Sequence, residues 1–189
     1  MSKRDGTKVV TDEVRLSYLH VFEPASVGDS DQKKYSVCAL IPKTAKKTLK
    51  LIEEAIAEAT EEGKTKKWGG KIPKKLHTPL RDGDEEEDKG EEYEGMYFIN
   101  ASSTKKPGLV NVDRTAIYDE EELKSGDWGK LSINFFPYSA QGNNGVGVGL
   151  NHIMKTRTGD ALGGVRASAE EDFDGEFVDI DEEAAALLD

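Results

Sequence analysis

A single cysteine, Cys38, stands among 189 residues, so no disulfide framework can form within the chain and a reducing cytoplasm is its expected setting. Cys38 sits inside the apolar run SVCALI, where a lone thiol reads as a small core residue rather than a nucleophile. No apolar run reaches the roughly 18 residues of a membrane span, and the opening MSKRDGTKVV is polar rather than a charged-then-apolar leader. The chain therefore reads as soluble and unexported. The only histidines, His20, His77 and His152, lie far apart and lack the spacing or cysteine partners of a zinc site. Neither DGDEEED nor DFDGEFVDID has the glycine and terminal glutamate of a calcium loop. AQGNNG is glycine-rich but lacks the lysine ending and the strand-then-helix setting of a phosphate loop. Without a nucleophile elbow, a metal set or a distinguishable carboxylate pair, we expect no cofactor, no metal and no enzyme activity.

What the sequence has in excess is charge, unevenly placed. The formal net charge is -11. Residues 82–94, DGDEEEDKGEEYE, carry nine acidic residues and one basic, and residues 167–189 carry ten acidic residues and no Lys or Arg. Without these two segments the body has a net charge of +7. It is a mildly basic domain with two acidic appendages, an asymmetry expected where an anion-binding surface is regulated electrostatically.

Strand patterns dominate that body. VRLSYLHVF (14–22), KYSVCALI (34–41), GMYFINAS (95–102), KLSINFF (130–136) and GVGVGLNHI (145–153) are rich in β-branched, leucine and aromatic residues, and several alternate with period two. One helix is expected over 44–63, with Leu49, Ile52, Ile56 and Ala59 on its buried face and Gly63 as its stop. Strands, then a helix, then strands argue for a mainly β fold with one inserted helix, a small five-stranded barrel. In the last strand Gly145, Gly147 and Gly149 alternate with Val146, Val148 and Leu150, leaving one face without side chains. Such a face lets a barrel bend, or lets a ligand or another strand approach the backbone.

The chemistry that stands out is lysine interleaved with aromatic residues. KTKKWGGKIPKK (64–75) places Lys66, Lys67 and Lys71 around Trp68 in what reads as a mobile basic loop. Lys33 and Lys34 precede Tyr35, Lys105 and Lys106 follow the strand bearing Tyr97, and Trp128, Phe136 and Tyr138 share a third stretch. Phe136 shares a strand phase with Ser132 and Asn134, which puts it on the polar face; Tyr18, Phe98 and Phe135 fall on apolar phases and are expected in the core. Lys46, Lys47 and Lys50 crowd the helix start, against the macrodipole, where they would either add to a phosphate site or form a solvated face. Cations that track phosphates beside aromatic faces that stack bases are the combination that binds single-stranded nucleic acid without reading its sequence.

VRLSYLHVFEP, KYSVCALIPK, GMYFINASSTKKPGLVN and GDWGKLSINFFPYSAQGNNGVGVGLNHI also resemble a family of phage single-stranded DNA-binding proteins first catalogued as a domain of unknown function. The likeness spans about residues 10–170. It implies an OB-type barrel that coats single-stranded DNA in phage replication or recombination. It transfers no catalytic motif and no individual contact residue.

The expected organisation is an OB-like domain over 1–166, with the basic loop at 64–75 and an acidic loop at 82–94, followed by a disordered acidic tail over 167–189. Single-stranded DNA is the expected partner. The tail would compete for the cationic groove and dock replication or recombination proteins through Phe173, Phe177, Val178, Ile180, Leu187 and Leu188. Two other classes stay open on the residues alone: an interaction module whose acidic segments mimic DNA for basic partners, and a nuclease or other enzyme subunit.

Overall fold

Period-two alternation sets the long strands, and the computed structural model, which describes residues 1–26 and 31–162, shows where they go. Its strands are β1 (Lys3–Asp5), β2 (Lys8–Val10), β3 (Val14–Ser26), β4 (Lys33–Pro42), β5 (Leu76–His77), β6 (Arg81–Asp82), β7 (Met96–Ser103), β8 (Gly108–Val110), β9 (Trp128–Ala140) and β10 (Asn143–Arg157), with helix α1 (Lys46–Lys66) between β4 and β5. The five long strands are the five expected from the sequence. They close a ring in which β3 pairs β4, β4 pairs β7, β7 pairs β10, β10 pairs β9 and β9 returns to β3; only the β7–β10 pairing is parallel. The ring is the OB-type barrel. Five short strands escaped the sequence reading because two or three residues cannot display a period.

Inside the ring lie Leu16, Val37, Ala39, Ile99, Leu131, Ile133, Phe135, Val148 and Leu150. Helix α1 covers the same core with Leu49, Ile52, Ala55 and Ala59, while Ile56 packs at its margin. The helix does not stop at Gly63. It runs on to Lys66, and Gly63 is instead where Trp68 and Pro137 press against it; a Cβ there would meet both at 2.6 Å. The first residues of the expected basic loop are thus the last turn of the helix.

Two local features redirect side chains. In β3 the pairing slips between Ser17 and His20, with Tyr18 at φ 46°. This bulge turns Tyr18 out of the core, leaving it 63% exposed, and corrects the expectation that it packs inside. At the β9–β10 turn Gln141 and Gly142 both have positive φ, the geometry that a two-residue hairpin requires.

The acidic segment is a folded part of the domain. Tyr93 closes over Cys38, Leu40 and Phe98 on the outward phase of β4 and β7, making a second, smaller core. Its ring meets that of Phe98 edge-on at 5.2 Å, and Arg81 and Lys89 lie over the Phe98 ring at 5.1 and 5.5 Å. Lys43 binds Asp82 and Asp84, each at 2.7 Å. Its ammonium donates to both, holding the two carboxyls below the ordinary aspartate range. Burial pushes the Cys38 thiol up, as befits a core residue.

Candidate nucleic-acid interface

The outward phase of β9 is built from Trp128, Lys130, Ser132, Asn134, Phe136 and Tyr138, opposite the buried Leu131, Ile133 and Phe135. Its partner β10 turns the three glycines to the same side. A Cβ on Gly147 would come within 2.7 Å of Phe136 Cζ, one on Gly149 within 2.7 Å of Asn134 Oδ1, and one on Gly145 within 2.8 Å of the Tyr138 hydroxyl. The bare strand face therefore serves its neighbour: side chains from β9 lie down across the glycines. The tip of the Phe136 ring lies over Gly147, and the residue is still 43% exposed, an aromatic presented to solvent on a polar face.

Beside this pair opens a groove of about 490 Å³ lined by Lys8, Lys105, Lys106, Asn134, Asn151 and His152, with Ser103 at one wall. Lys8 enters because β2 pairs with β9 opposite Asn134. The ion pairs of the described residues engage Arg4, Lys43, Arg81, Lys124, Lys155 and Arg157, and leave Lys8, Lys105 and Lys106 out. The groove thus keeps its three positive charges without carboxylate partners among the described residues. His152 Nδ1 accepts a hydrogen bond from the Gly108 amide at 3.1 Å, so its neutral ring carries the hydrogen on Nε2.

The residues expected from the sequence divide into groups. Lys105 and Lys106 line the groove, and Phe136 stands two residues from Asn134 along the same strand phase. Tyr35 pairs opposite Ser103, which brings Lys33, Lys34 and Tyr35 to the same end of the sheet as the Lys105 turn. Trp68 is half-buried at the far end of the β9–β10 hairpin, where its Nε1 donates to the Tyr138 carbonyl at 3.2 Å; Tyr138 is half-buried beside it, and Lys66, Lys67 and Lys71 are exposed around them. Tyr97 packs half-buried on the barrel core with Lys43 Nζ 5.2 Å from its ring centre, at the opposite end of β7 from Ser103. Trp128 lies eight residues from Phe136, roughly 26 Å along the strand, with the Arg157 guanidinium 4.3 Å above its ring. Lys46, Lys47 and Lys50 are exposed at the start of α1, which covers the inward phase of the sheet, so they do not join the groove.

Lys8, Asn134, Asn151 and His152 are not among the site residues expected from the sequence. Lys8 lies in a three-residue strand, and His152 follows a register slip in β10 between Leu150 and His152 that no periodicity announces. Among the described residues no three His, Cys, Asp or Glu side chains gather as a cation would need, and no helix is long and apolar enough to cross a membrane.

The comparisons agree with this architecture. The single-stranded DNA-binding protein from bacteriophage Enc34, solved in complex with single-stranded DNA, superposes with a TM-score of 0.73 at 24% identity, covering 85% of this chain and 96% of that one. Gp2.5, a single-stranded DNA-binding protein encoded by bacteriophage T7, gives 0.54 at 15% identity over 85% and 97% of the two chains. At these identities the likeness is one of fold. A protein of Acyrthosiphon pisum secondary endosymbiont phage 1, described as putative protein p50, is 28% identical over 95% of this chain and 99% of its own. The model of the family described as Enterobacter phage Enc34, ssDNA-binding protein, matches residues 7–185, and with nearly the whole length matched the chain belongs to that family.

Proposed function

We propose that this protein binds single-stranded DNA without sequence preference, along the outward face of β9 and β10. One observation carries the reading: exposed Phe136 lies over Gly147 on the same strand face as a groove holding Lys8, Lys105 and Lys106. An aromatic face beside uncompensated cations is what stacks bases while neutralising phosphates, and each stack contributes about 1–3 kcal/mol. Membership of a family of phage single-stranded DNA-binding proteins supports it. A duplex keeps its bases stacked on each other and cannot use Phe136 in this way. The protein's work is coating and protecting single strands during phage replication or recombination.

Fluorescence titration with single-stranded and duplex oligomers of mixed sequence tests the reading. Single strands are expected to bind more tightly, with log K falling against log salt by about 0.7 per phosphate neutralised. Affinity indifferent to salt, or a preference for duplex, would overturn it.

The segment 167–189, which lies outside the described residues, is assigned a regulatory part on its charge alone. Ten acidic residues tethered to a domain with a basic groove compete with DNA for that groove, and the apolar residues among them offer a docking motif to replication or recombination proteins. Removing the segment changes the formal charge from -11 to -1. Truncation is expected to tighten oligo-dT binding at low salt, with the gain shrinking as salt screens the charges over about 10 Å at 0.1 M. Equal affinity of truncated and full-length protein at low salt would remove the competition from the account.

A further inference from the structure

A second cavity adjoins the cationic groove. It holds about 160 Å³ and is lined by Val10, Val110, Ile153, Met154 and the stem of Lys130, with Ser132 and His152 contributing the polar edge. His152 lines both the groove and this pit. Lys130 and Ser132 continue the outward phase of Asn134 and Phe136, so pit, groove and exposed ring follow one line along β9. Two residues beyond Lys130 the same phase presents Trp128 beneath the Arg157 guanidinium.

We propose that the pit is a base pocket for a pyrimidine of the bound strand, which adds a modest preference for thymine to otherwise sequence-tolerant binding, and that the strand continues past it to the Trp128–Arg157 stack. The inference rests on the single-strand reading above and extends its path from one groove to the length of β9. Size supports it, because apolar cavities of about 150 Å³ hold a benzene-sized ring, and a pyrimidine has one such ring where a purine has two. Chemistry supports it as well. The apolar wall of Val10, Val110 and Met154 suits the thymine methyl group, and His152 Nε2–H is a donor at the lip for a base carbonyl. The span from Phe136 to Trp128, roughly 26 Å, falls within the several nucleotides that one OB fold occupies.

The experiment separates the two ends by oligomer length. In full-length Trp68→Phe protein, Trp128 is the sole indole. Oligo-dT of about four and about sixteen nucleotides, the ends of the range for one OB fold, is titrated while binding is followed independently by anisotropy of a labelled oligomer. Trp128 emission should be quenched by the long oligomer and not by the short one. Val110→Asp, which places a carboxylate in the pit, should weaken the long oligomer by roughly 5- to 150-fold, the range of one lost stack, and leave the short one unchanged. Oligo-dU, lacking the methyl group, should bind more weakly than oligo-dT at the greater length only. If both lengths bind but Trp128 stays bright and Val110→Asp behaves like wild type, the extended path is wrong while the groove stands. If neither length binds, or Phe136→Ala alters nothing, the single-strand reading itself fails. Should Val110→Asp not fold, Trp128 quenching decides, since it requires no change in the pit.

Discussion

Phe136 and Phe98 occupy equivalent settings on one barrel and meet opposite fates. Each points outward from a long strand of the ring, yet Phe136 is 43% exposed and Phe98 only 1%. The difference lies in what each face was given as a cover. On β4 and β7 the acidic segment folds back, lays Tyr93 against Phe98, and is pinned through Asp82 and Asp84 by Lys43. On β9 and β10 no such cover closes over Phe136 among the described residues; instead its ring tip lies over Gly147, and the neighbouring cations are lysines without carboxylate partners there. Aromatic residues alone therefore do not mark a binding face. An aromatic beside a polyanion that already covers it is core, and an aromatic beside uncompensated lysines is a platform.

Cutting away each ring in turn separates the two faces by the largest effect. Phe98→Ala should cost about 3–5 kcal/mol of stability, the usual cost of emptying an aromatic site in a packed core, and should lower the melting temperature sharply. Binding of oligo-dT by the fraction that stays folded should hardly change. Phe136→Ala should do the reverse, losing about 1–3 kcal/mol of binding with a melting curve close to wild type. If both substitutions act alike, the two faces are not distinct in the way their covers imply.

A smaller effect is expected from the groove lysines taken singly. Lys8→Ala, Lys105→Ala and Lys106→Ala should each flatten the salt slope of oligo-dT affinity by about 0.7, whereas Lys46→Ala at the helix start should leave it unaltered. A flattened slope for Lys46→Ala would show that the strand reaches round the barrel to the helix side. Thermal melts of all four variants should overlay, because these side chains are exposed.

The smallest effect concerns the pin on the acidic segment. Asp82 and Asp84 are held below the ordinary aspartate value of 3.8 by hydrogen bonds from Lys43. A carboxyl whose native pKa is depressed adds stability that is present above the unfolded-state value and is lost as pH falls through the native one. Acid titration followed by the near-ultraviolet signal of Tyr93 should therefore hold steady until pH drops below the normal aspartate range. Lys43→Met should move the loss upward toward that range and leave oligo-dT affinity at neutral pH as it was. An acid transition identical in both proteins would mean that the pin contributes nothing to keeping the segment in place.

Alternation and turn chemistry were enough to read the five ring strands, the helix and the basic body with its acidic segments, because each is written in consecutive residues. Leu131, Ile133 and Phe135 against Ser132, Asn134 and Phe136 is a local statement about which side of a strand is wet, and it held in three dimensions. Tyr18 was misread for the complementary reason. A single positive φ and a slip of pairing reverse a strand's phase, and neither leaves a mark on composition. Only the tertiary structure could bring Lys8, Lys105, Lys106 and His152 to one groove, since they come from three separate stretches of chain and meet through the pairings of β2 with β9, β9 with β10 and β10 with β8. It alone decided that Trp68 braces Gly63, and that Tyr93 buries Phe98. Charge and periodicity are properties of neighbours in sequence, and they fix which kinds of surface the chain can make. Which aromatic ends on which surface depends on what folds over it, and that is settled by the closure of the barrel.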